Sequence, residues 1–243
     1  MFQFRARTAF SNRSLMAIGV ATPLCAATLG CGGEEVKYEP VPAVSGVQAN
    51  LPAVPNLAKK PIKNGDAYTV WGASYYLRNR VHRDEVAGKK ITIKGYITKT
   101  NYADAPECAV HEGGKADPEG CVAPIPAFWI GDEKNSPESE SIKVMGWASN
   151  FAQIYDAIET FDKGKEDEEH MDTFWGINIP KPLPATGAKV SVTGTYSTTF
   201  TGSSLGTEAD PIQGLMHFQS YTVEEEAAEL ATLPGVKRKP KKQ

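Results

Sequence analysis

Two segments of this 243-residue chain, about a hundred residues apart, repeat one short pattern. Residues 88–97 and residues 187–196 both alternate apolar and polar side chains, which predicts strands with one face in a core and one face in water. Each segment has a glycine four residues after its first apolar position, Gly95 in one and Gly194 in the other. Glycine there is typical of a strand that bends or meets another backbone closely. The pattern therefore predicts two bent strands.

Other apolar segments complete a coarse order of elements. Three short apolar runs are typical of strands: residues 127–130, 142–147 and 214–223. Apolar residues at three- and four-residue steps predict a helix over residues 151–161, with Ser149 or Asn150 as its N-cap. Residues 66–79 read as a helical or irregular lead-in, and residues 224–231 as a helical exit from the last strand.

The order strand, strand, strand, helix, strand, strand resembles the OB-fold. That resemblance implies a mainly β domain, a five-stranded Greek-key barrel with one helix between strands three and four. It covers residues 66–226, within which residues 164–186 form an insertion. A small β-sandwich is the competing architecture.

The N-terminus reads as a processing and anchoring region. The chain begins with a basic stretch, which is followed by a 15-residue apolar run over residues 15–29. The apolar run is shorter than the ~20 residues of a bilayer-spanning helix. Gly30 before Cys31 resembles a bacterial lipoprotein signal, which implies a signal peptide over residues 1–30 and lipid on Cys31. The alternatives are ordinary secretory cleavage and an uncleaved start in which Cys25 and Cys31 have no role. Residues 31–65, rich in proline, are expected to form a flexible tether that carries the domain.

Two further phrases, residues 101–111 and residues 146–152, resemble those of a group of Gram-negative lipoproteins. The resemblance implies no activity. With Gly32 after the cysteine, it implies a protein of the cell envelope, held by lipid at the outer membrane and facing the periplasm.

Charge is distributed unevenly along the chain. Residues 31–235 carry 18 Lys and Arg against 29 Asp and Glu. Such an acidic body repels polyanions, so nucleic acid is an unlikely partner. Five basic residues crowd the end of the C-terminal tail, residues 227–243. This tail is expected either to be simply solvated or to touch anionic lipid or an acidic partner.

Cys108 and Cys121 lie in one long connection between strands. In an oxidising compartment they are expected to form a disulfide, worth ~3 kcal/mol by loop entropy. The alternative is a zinc site formed by both thiolates and His111. A fourth ligand would then come from a nearby carboxylate: Glu112, Asp117 or Glu119. No covalent haem motif occurs, and no cofactor is expected.

Sequence motifs for catalysis are missing, including the nucleophile elbow, the phosphate loop and the zinc-protease helix. Aromatic residues are the candidate ligand-binding groups, because OB barrels bind on the face of strands two and three. If the side chains of Tyr96, Trp129 and Trp147 all point to the outer face of the barrel, they form one exposed aromatic surface, which we call the aromatic shelf. Asn150 is then a neighbouring hydrogen-bonding group. Alternatively, each tryptophan belongs to the core and Asn150 only caps the helix.

Together these observations predict a lipid-anchored binding module without chemistry of its own, whose ligand is a protein, a glycan or a small molecule. The alternative is a metal-dependent or hydrolytic envelope enzyme centred on the Cys108–Cys121 loop and the acidic residues 166–169. His217, in the middle of the last strand, is expected to be a hydrogen-bonded barrel histidine rather than a catalytic one.

Overall fold

The computed structural model of the protein describes residues 39–40, 60–163, 169–202 and 206–238. The chain divides into two units, Met1–Pro55 and Asn56–Gln243, and the architecture below belongs to the second. The predicted signal peptide, Cys31, most of the tether, the start of the insertion and residues 239–243 lie outside the described residues. Among the described residues, no helix has the length and apolarity needed to cross a bilayer.

Five strands close into a barrel, as the order of elements predicted. They are β3 (Lys89–Thr100), β4 (Ala127–Gly131), β5 (Ile142–Met145), β6 (Lys189–Ser197) and β9 (Leu215–Glu225). Each strand pairs with the next in the order β3-β4-β5-β9-β6, and β6 pairs back onto β3. All pairs are antiparallel except β5–β9, which is parallel. The protein is thus a mainly β chain with a closed, OB-like barrel.

The two predicted glycines lie where neighbouring backbones come close. A Cβ atom on Gly95 would lie 2.6 Å from the carbonyl oxygen of Gly131, and one on Gly194 would lie 2.1 Å from that of His217. The β6–β9 register also shifts between Thr193 and Gly194. Both positions need glycine because any side chain would collide with an adjacent strand.

Four short elements precede the barrel: β1 (Lys63–Asn64), β2 (Ala67–Thr69), α1 (Val70–Arg78) and α2 (Arg83–Val86). β2 adds to β3 in parallel. Thr69 caps α1 by accepting a hydrogen bond from the Gly72 amide, and the carboxylate of Asp132 accepts from the amides of Val70 and Trp71 at 2.8 and 2.9 Å. The lead-in is therefore a helix tied to the loop after β4.

Helix α3 (Phe151–Asp162) follows β5, as predicted, with Asn150 as its N-cap. Its apolar face, which includes Phe151, Ile154 and Ile158, belongs to the same core cluster as the inward residues of the barrel. Trp147, Tyr196 and Phe128 are the largest fully buried side chains of that core. The helix thus extends the barrel core rather than forming a layer of its own.

Two segments differ from expectation. Residues 198–214 contain a second, two-stranded sheet, β7 (Thr199–Gly202) and β8 (Gly206–Ala209), where the sequence indicated only a connection. Residues 226–231 are not helical, because β9 continues to Glu225 and the chain then runs irregularly over the barrel. Ala231 and Leu233 are buried there, and Arg238 bonds to Asp162 of α3 at 2.6 Å.

Candidate functional site

One outer face of the barrel, formed by β4, β5 and β9, carries two rows of side chains. Cα pairing aligns Trp129, Lys143 and Leu215 in the first row. The second row contains Ala127, Met145 and His217. Successive residues of a strand point to opposite faces, so these rows point away from the inward-facing Phe128 and Val144.

The β7–β8 hairpin covers much of this face. Phe200 of β7 joins a second apolar cluster, separate from the barrel core, whose other buried members are Ile125, Ala127, Trp129, Met145 and Leu215. Glu208 of β8 accepts a hydrogen bond from Lys143 at 2.5 Å. The hairpin is therefore held by one apolar contact cluster and one partly exposed ion pair.

A turn from the insertion borders the same face, and a buried carboxylate positions it. Asp172 is fully buried, and its oxygens accept hydrogen bonds from the amides of Ser149, Phe174 and Trp175 at 2.7, 2.9 and 3.0 Å. Gln153 of α3 adds a bond from the Thr173 amide at 3.0 Å. These bonds hold Trp175 against the cluster under the hairpin, since a carboxylate satisfied by backbone amides is a strong anchor.

A cavity of about 270 Å³ lies between this turn and β7. Its walls include Trp175, Phe200, Thr201, Gly146 and His217. Two aromatic rings and one histidine therefore line this space, and the lining residues with polar side-chain groups among the described residues are Trp175, Thr201 and His217.

His217 stands on the outer face of β9 at the floor of this cavity. Its ring meets Phe200 edge to face, with centroids 5.1 Å apart. Partial burial lowers the pKa of His217 below its usual value, so the imidazole is neutral at pH 7. A neutral imidazole offers one hydrogen-bond donor and one acceptor to a ligand. His217 is thus a barrel histidine, as expected, but it faces outward, and no described residue forms a hydrogen bond with its imidazole.

The predicted aromatic shelf does not form as one surface. Trp147 is fully buried and packs against Tyr102 and Phe128, so the core alternative describes it. The side chain of Trp129 points to the outer face of the barrel but is only 8% exposed. Lys99 and Lys143 lie over its ring at 4.8 and 5.3 Å.

Tyr96 and Asn150 lie apart from the cavity. Tyr96 is half-buried between Lys134 and Lys189, each with its ammonium 5.4 Å from the ring centroid. The side chain of Asn150 accepts a hydrogen bond from the Gln153 amide at 3.0 Å. Helix capping, the alternative that the sequence left open, accounts for that residue.

The disulfide between Cys108 and Cys121 is confirmed, with a Cα–Cα distance of 6.0 Å. Because both sulfurs are bonded to each other, the alternative zinc site lacks its two thiolates. His111 instead bonds to Asp117 at 3.0 Å and to the Glu112 carbonyl at 2.7 Å. These contacts raise the pKa of His111, the bond to the Glu112 backbone most of all.

The disulfide loop also docks onto α3. The amide of Gly113 donates to both carboxylate oxygens of Asp156 at 3.0 Å. Within the described part of the chain, no group of three or more His, Cys, Asp or Glu side chains is arranged to hold a metal ion.

Sequence reasoning missed the residues that build the cavity. Trp175 and Asp172 fell in an insertion without a recognisable period, and Phe200 lies in a segment rich in threonine, glycine and serine. The one available signal was the run Phe174–Trp175–Gly176, because a pair of large aromatic residues in an otherwise acidic loop is unusual for a solvated segment.

Comparisons with known proteins add little to this description of the fold and the site. No family model and no curated protein matches the chain. Among solved structures, a putative aspartyl-tRNA synthetase from Leishmania major Friedlin is similar over 73% of this chain, with 13% identity and a TM-score of 0.30. The chain spans 24% of that protein's length. The architecture described above therefore rests on this chain's own strand order and register.

Proposed function

We propose that this protein is a non-catalytic binding module that holds its ligand at the cavity between Trp175, Phe200 and His217. The observation that carries the proposal is the composition of the cavity wall. Ligand pockets combine apolar and aromatic side chains with a few polar groups that fix orientation. The wall of this cavity combines Trp175, Ile177 and Phe200 with the polar residues Thr201 and His217. The chemistry of its polar groups also favours binding over catalysis, because the Thr201 hydroxyl bonds to Thr207 at 3.2 Å and not to the imidazole.

The enzyme alternative, centred on the Cys108–Cys121 loop, receives less support. Its cysteines are oxidised to a disulfide, and the acid nearest to His111 is engaged in a hydrogen bond to that histidine. Neither sulfur is then available as a nucleophile or as a thiolate ligand.

We further propose that lipid on Cys31 anchors the module at the outer membrane, facing the periplasm. The lipoprotein-like N-terminus supports this, and a disulfide is typical of an oxidising compartment. Mass spectrometry of the N-terminal peptide from membrane fractions tests it. A diacylglyceryl adduct on Cys31 is expected, and an unmodified Met1 in membrane-free protein would contradict it.

Binding itself can be tested with a defined ligand screen on the full-length chain. Oligosaccharides, peptides and small aromatic compounds are added to protein whose tryptophans carry fluorine, and hits are retested on two variants. Trp175→Ala should weaken binding at least tenfold, because it removes one wall of the cavity.

Trp71→Ala is the matched control, since Trp71 lines a different and more polar cavity of about 350 Å³ beside α1. Its affinity for the hits should be unchanged. Hits that respond to Trp71→Ala and not to Trp175→Ala, or a screen without hits, would overturn the proposed function. Single-stranded nucleic acid is not expected among the hits, given the acidic body of the protein.

A further inference from the structure

One backbone edge of the β7–β8 hairpin lies at the cavity and pairs with no strand in the described part of the chain. The carbonyl of Thr198 accepts a hydrogen bond from the Asp210 amide at 2.9 Å, just outside the hairpin strands. Hydrogen-bonded and non-hydrogen-bonded pairs alternate along an antiparallel ladder, so Phe200–Glu208 is a bonded pair and Thr201–Thr207 is not. The backbone N–H and C=O of Thr201 and of Thr207 therefore point outward, to opposite edges of the hairpin.

Only one of these two edges borders the cavity. Phe200, Thr201 and Gly202 of β7 line it, and among the described residues no residue of β8 does. Thr199, the other outward-pointing position of β7, already bonds to the hydroxyl of Ser197 through its amide at 3.2 Å. Among the described residues, none bonds to the outward N–H or C=O of Thr201, so this is the position at which β7 offers a donor and an acceptor to an incoming chain.

The volume of the cavity suits a single side chain better than a whole small-molecule ligand. At about 270 Å³ it falls just below the range of ~300–1,000 Å³ usual for small-molecule sites. It is roomy for a single apolar side chain between Trp175 and Phe200. Two large apolar residues close to Trp175 in the sequence, Phe174 and Met171, are 69% and 57% exposed.

Two segments border the cavity, and the charged residues of both are acidic. Residues 169–178 contain Glu169 and Asp172, residues 199–210 contain Glu208 and Asp210, and neither segment contains a lysine or an arginine. Lys143 of the barrel pairs with Glu208, and the carboxylate of Asp172 is buried among backbone amides. Glu169 and Asp210 are therefore the acidic residues of these two segments that remain to attract a cation. Opposite charges on a partner would therefore be steered toward this edge.

From this placement we propose, resting on the proposed function, that the partner is an extended, basic peptide segment of another protein. The segment adds as a strand to the free edge of β7. It pairs with the backbone of Thr201 and inserts one apolar or aromatic side chain between Trp175 and Phe200. Strand addition takes its affinity from main-chain hydrogen bonds and its specificity from such a pocket.

The two outward positions of the hairpin give a matched pair of variants. Thr201→Pro removes the amide donor of the β7 edge, and Thr207→Pro removes the equivalent donor of the β8 edge. Both variants lose the same hydroxyl–hydroxyl contact between residues 201 and 207, so their effects on the hairpin are comparable. Equal melting temperatures would verify this.

The probe is a displayed library of nine-residue peptides with random sequence, selected against the full-length protein. We expect enriched peptides to carry lysine or arginine beside a large apolar residue. They should bind Thr201→Pro at least tenfold more weakly than the unaltered protein and Thr207→Pro within about twofold. Methylation of the peptide's backbone nitrogens should also abolish binding.

Two outcomes would overturn the inference. One is the absence of enriched peptides, and the other is enriched peptides that bind both proline variants equally. If an oligosaccharide or small aromatic compound instead binds in a manner sensitive to Trp175→Ala and insensitive to Thr201→Pro, the proposed function stands and the peptide partner is wrong.

Discussion

Gly146 faces the imidazole of His217 so closely that a Cβ atom on the glycine would lie 2.5 Å from Cδ2 of the histidine ring. The backbone of Gly146 also has a φ of +85°, in the left-handed region. The position therefore requires glycine for two reasons, conformation and space, and both act at the floor of the cavity.

Gly146→Ala should displace the His217 ring and distort the cavity. We expect a loss of stability of about 2–3 kcal/mol, the sum of a strained φ and a displaced side chain. Gly187→Ala is the control, because Gly187 has a φ of +92° with no heavy atom within 4 Å of an added Cβ. Urea unfolding measures both variants. Equal losses would show that His217 does not press on residue 146.

Asp172→Ala should release the turn that carries Trp175. The substitution leaves three backbone amides without their acceptor, and each buried unpaired group costs about 1–3 kcal/mol. Hydrogen exchange at Ser149, Phe174 and Trp175 should accelerate strongly. Asp104→Ala, on an exposed turn, is the control and should leave these amides protected. Unchanged exchange at all three amides in Asp172→Ala would contradict the anchoring role.

Removal of the disulfide should destabilise the protein without unfolding the barrel. Replacing Cys108 and Cys121 by serine should cost about 3 kcal/mol by loop entropy, while the Gly113–Asp156 bonds continue to hold the loop tip. Chemical denaturation of the double variant, with and without Asp156→Ala, measures both contributions. A double cysteine variant as stable as the unaltered protein would show that the loop is ordered without its bridge.

The pKa values of two histidines should be shifted in opposite directions. The pKa of His217 is lowered by partial burial, and the pKa of His111 is raised by its bonds to Glu112 and Asp117. NMR titration should therefore show His217 ionising below the usual value of about 6.5 and His111 above it. An inverted order of the His217 and His111 midpoints would contradict their described surroundings.

These shifts also give a sign to the pH dependence of stability. Because the folded pKa of His217 is lowered, its contribution is fully present above the unfolded pKa and declines as the pH falls below it. His111 acts oppositely, since its raised pKa makes its contribution complete at low pH and lost as the pH rises through the folded pKa. His217→Asn should remove the first dependence and leave the second.

Arg238→Ala should detach the C-terminal segment from α3. Its guanidinium bonds to Asp162 at 2.6 Å and to the Ala231 carbonyl at 2.8 Å, in a largely buried setting. Charged hydrogen bonds of this kind contribute about 1.5–3 kcal/mol. Limited proteolysis should cut the segment after residue 226 in this variant and not in Lys237→Ala. Equal cleavage of the two variants would show that this contact does not hold the segment.

Much of the barrel was predictable because its strands have the period of a half-buried sheet. The alternation around Ile93 and Val192, with Gly95 and Gly194, correctly indicated two strands, and the structure shows that these strands pair with each other. The helix that begins at Phe151 was equally predictable, since its apolar spacing and its Asn150 cap are local features.

The candidate site was not predictable in the same way, because tertiary contacts create it. The β7–β8 hairpin has few apolar residues, and only the barrel beneath Phe200 makes it a stable element. Asp172 lies in the insertion, which has no recognisable period, and only the amides of Ser149, Phe174 and Trp175 give its carboxylate a buried role. Trp147 lies two residues after the end of β5, where the alternation of a strand no longer tells core from surface.

The most direct test of the binding site is an NMR footprint of a bound ligand on uniformly labelled, full-length protein. The tightest hit of the ligand screen is titrated in, while the imidazole signals of His217, the indole signal of Trp175 and all backbone amides are followed. The account predicts that the largest shifts fall on His217, Trp175 and β7, with Trp71 and its cavity unaffected. Shifts centred on Trp71 or on the Cys108–Cys121 loop, with His217 unmoved, would contradict it.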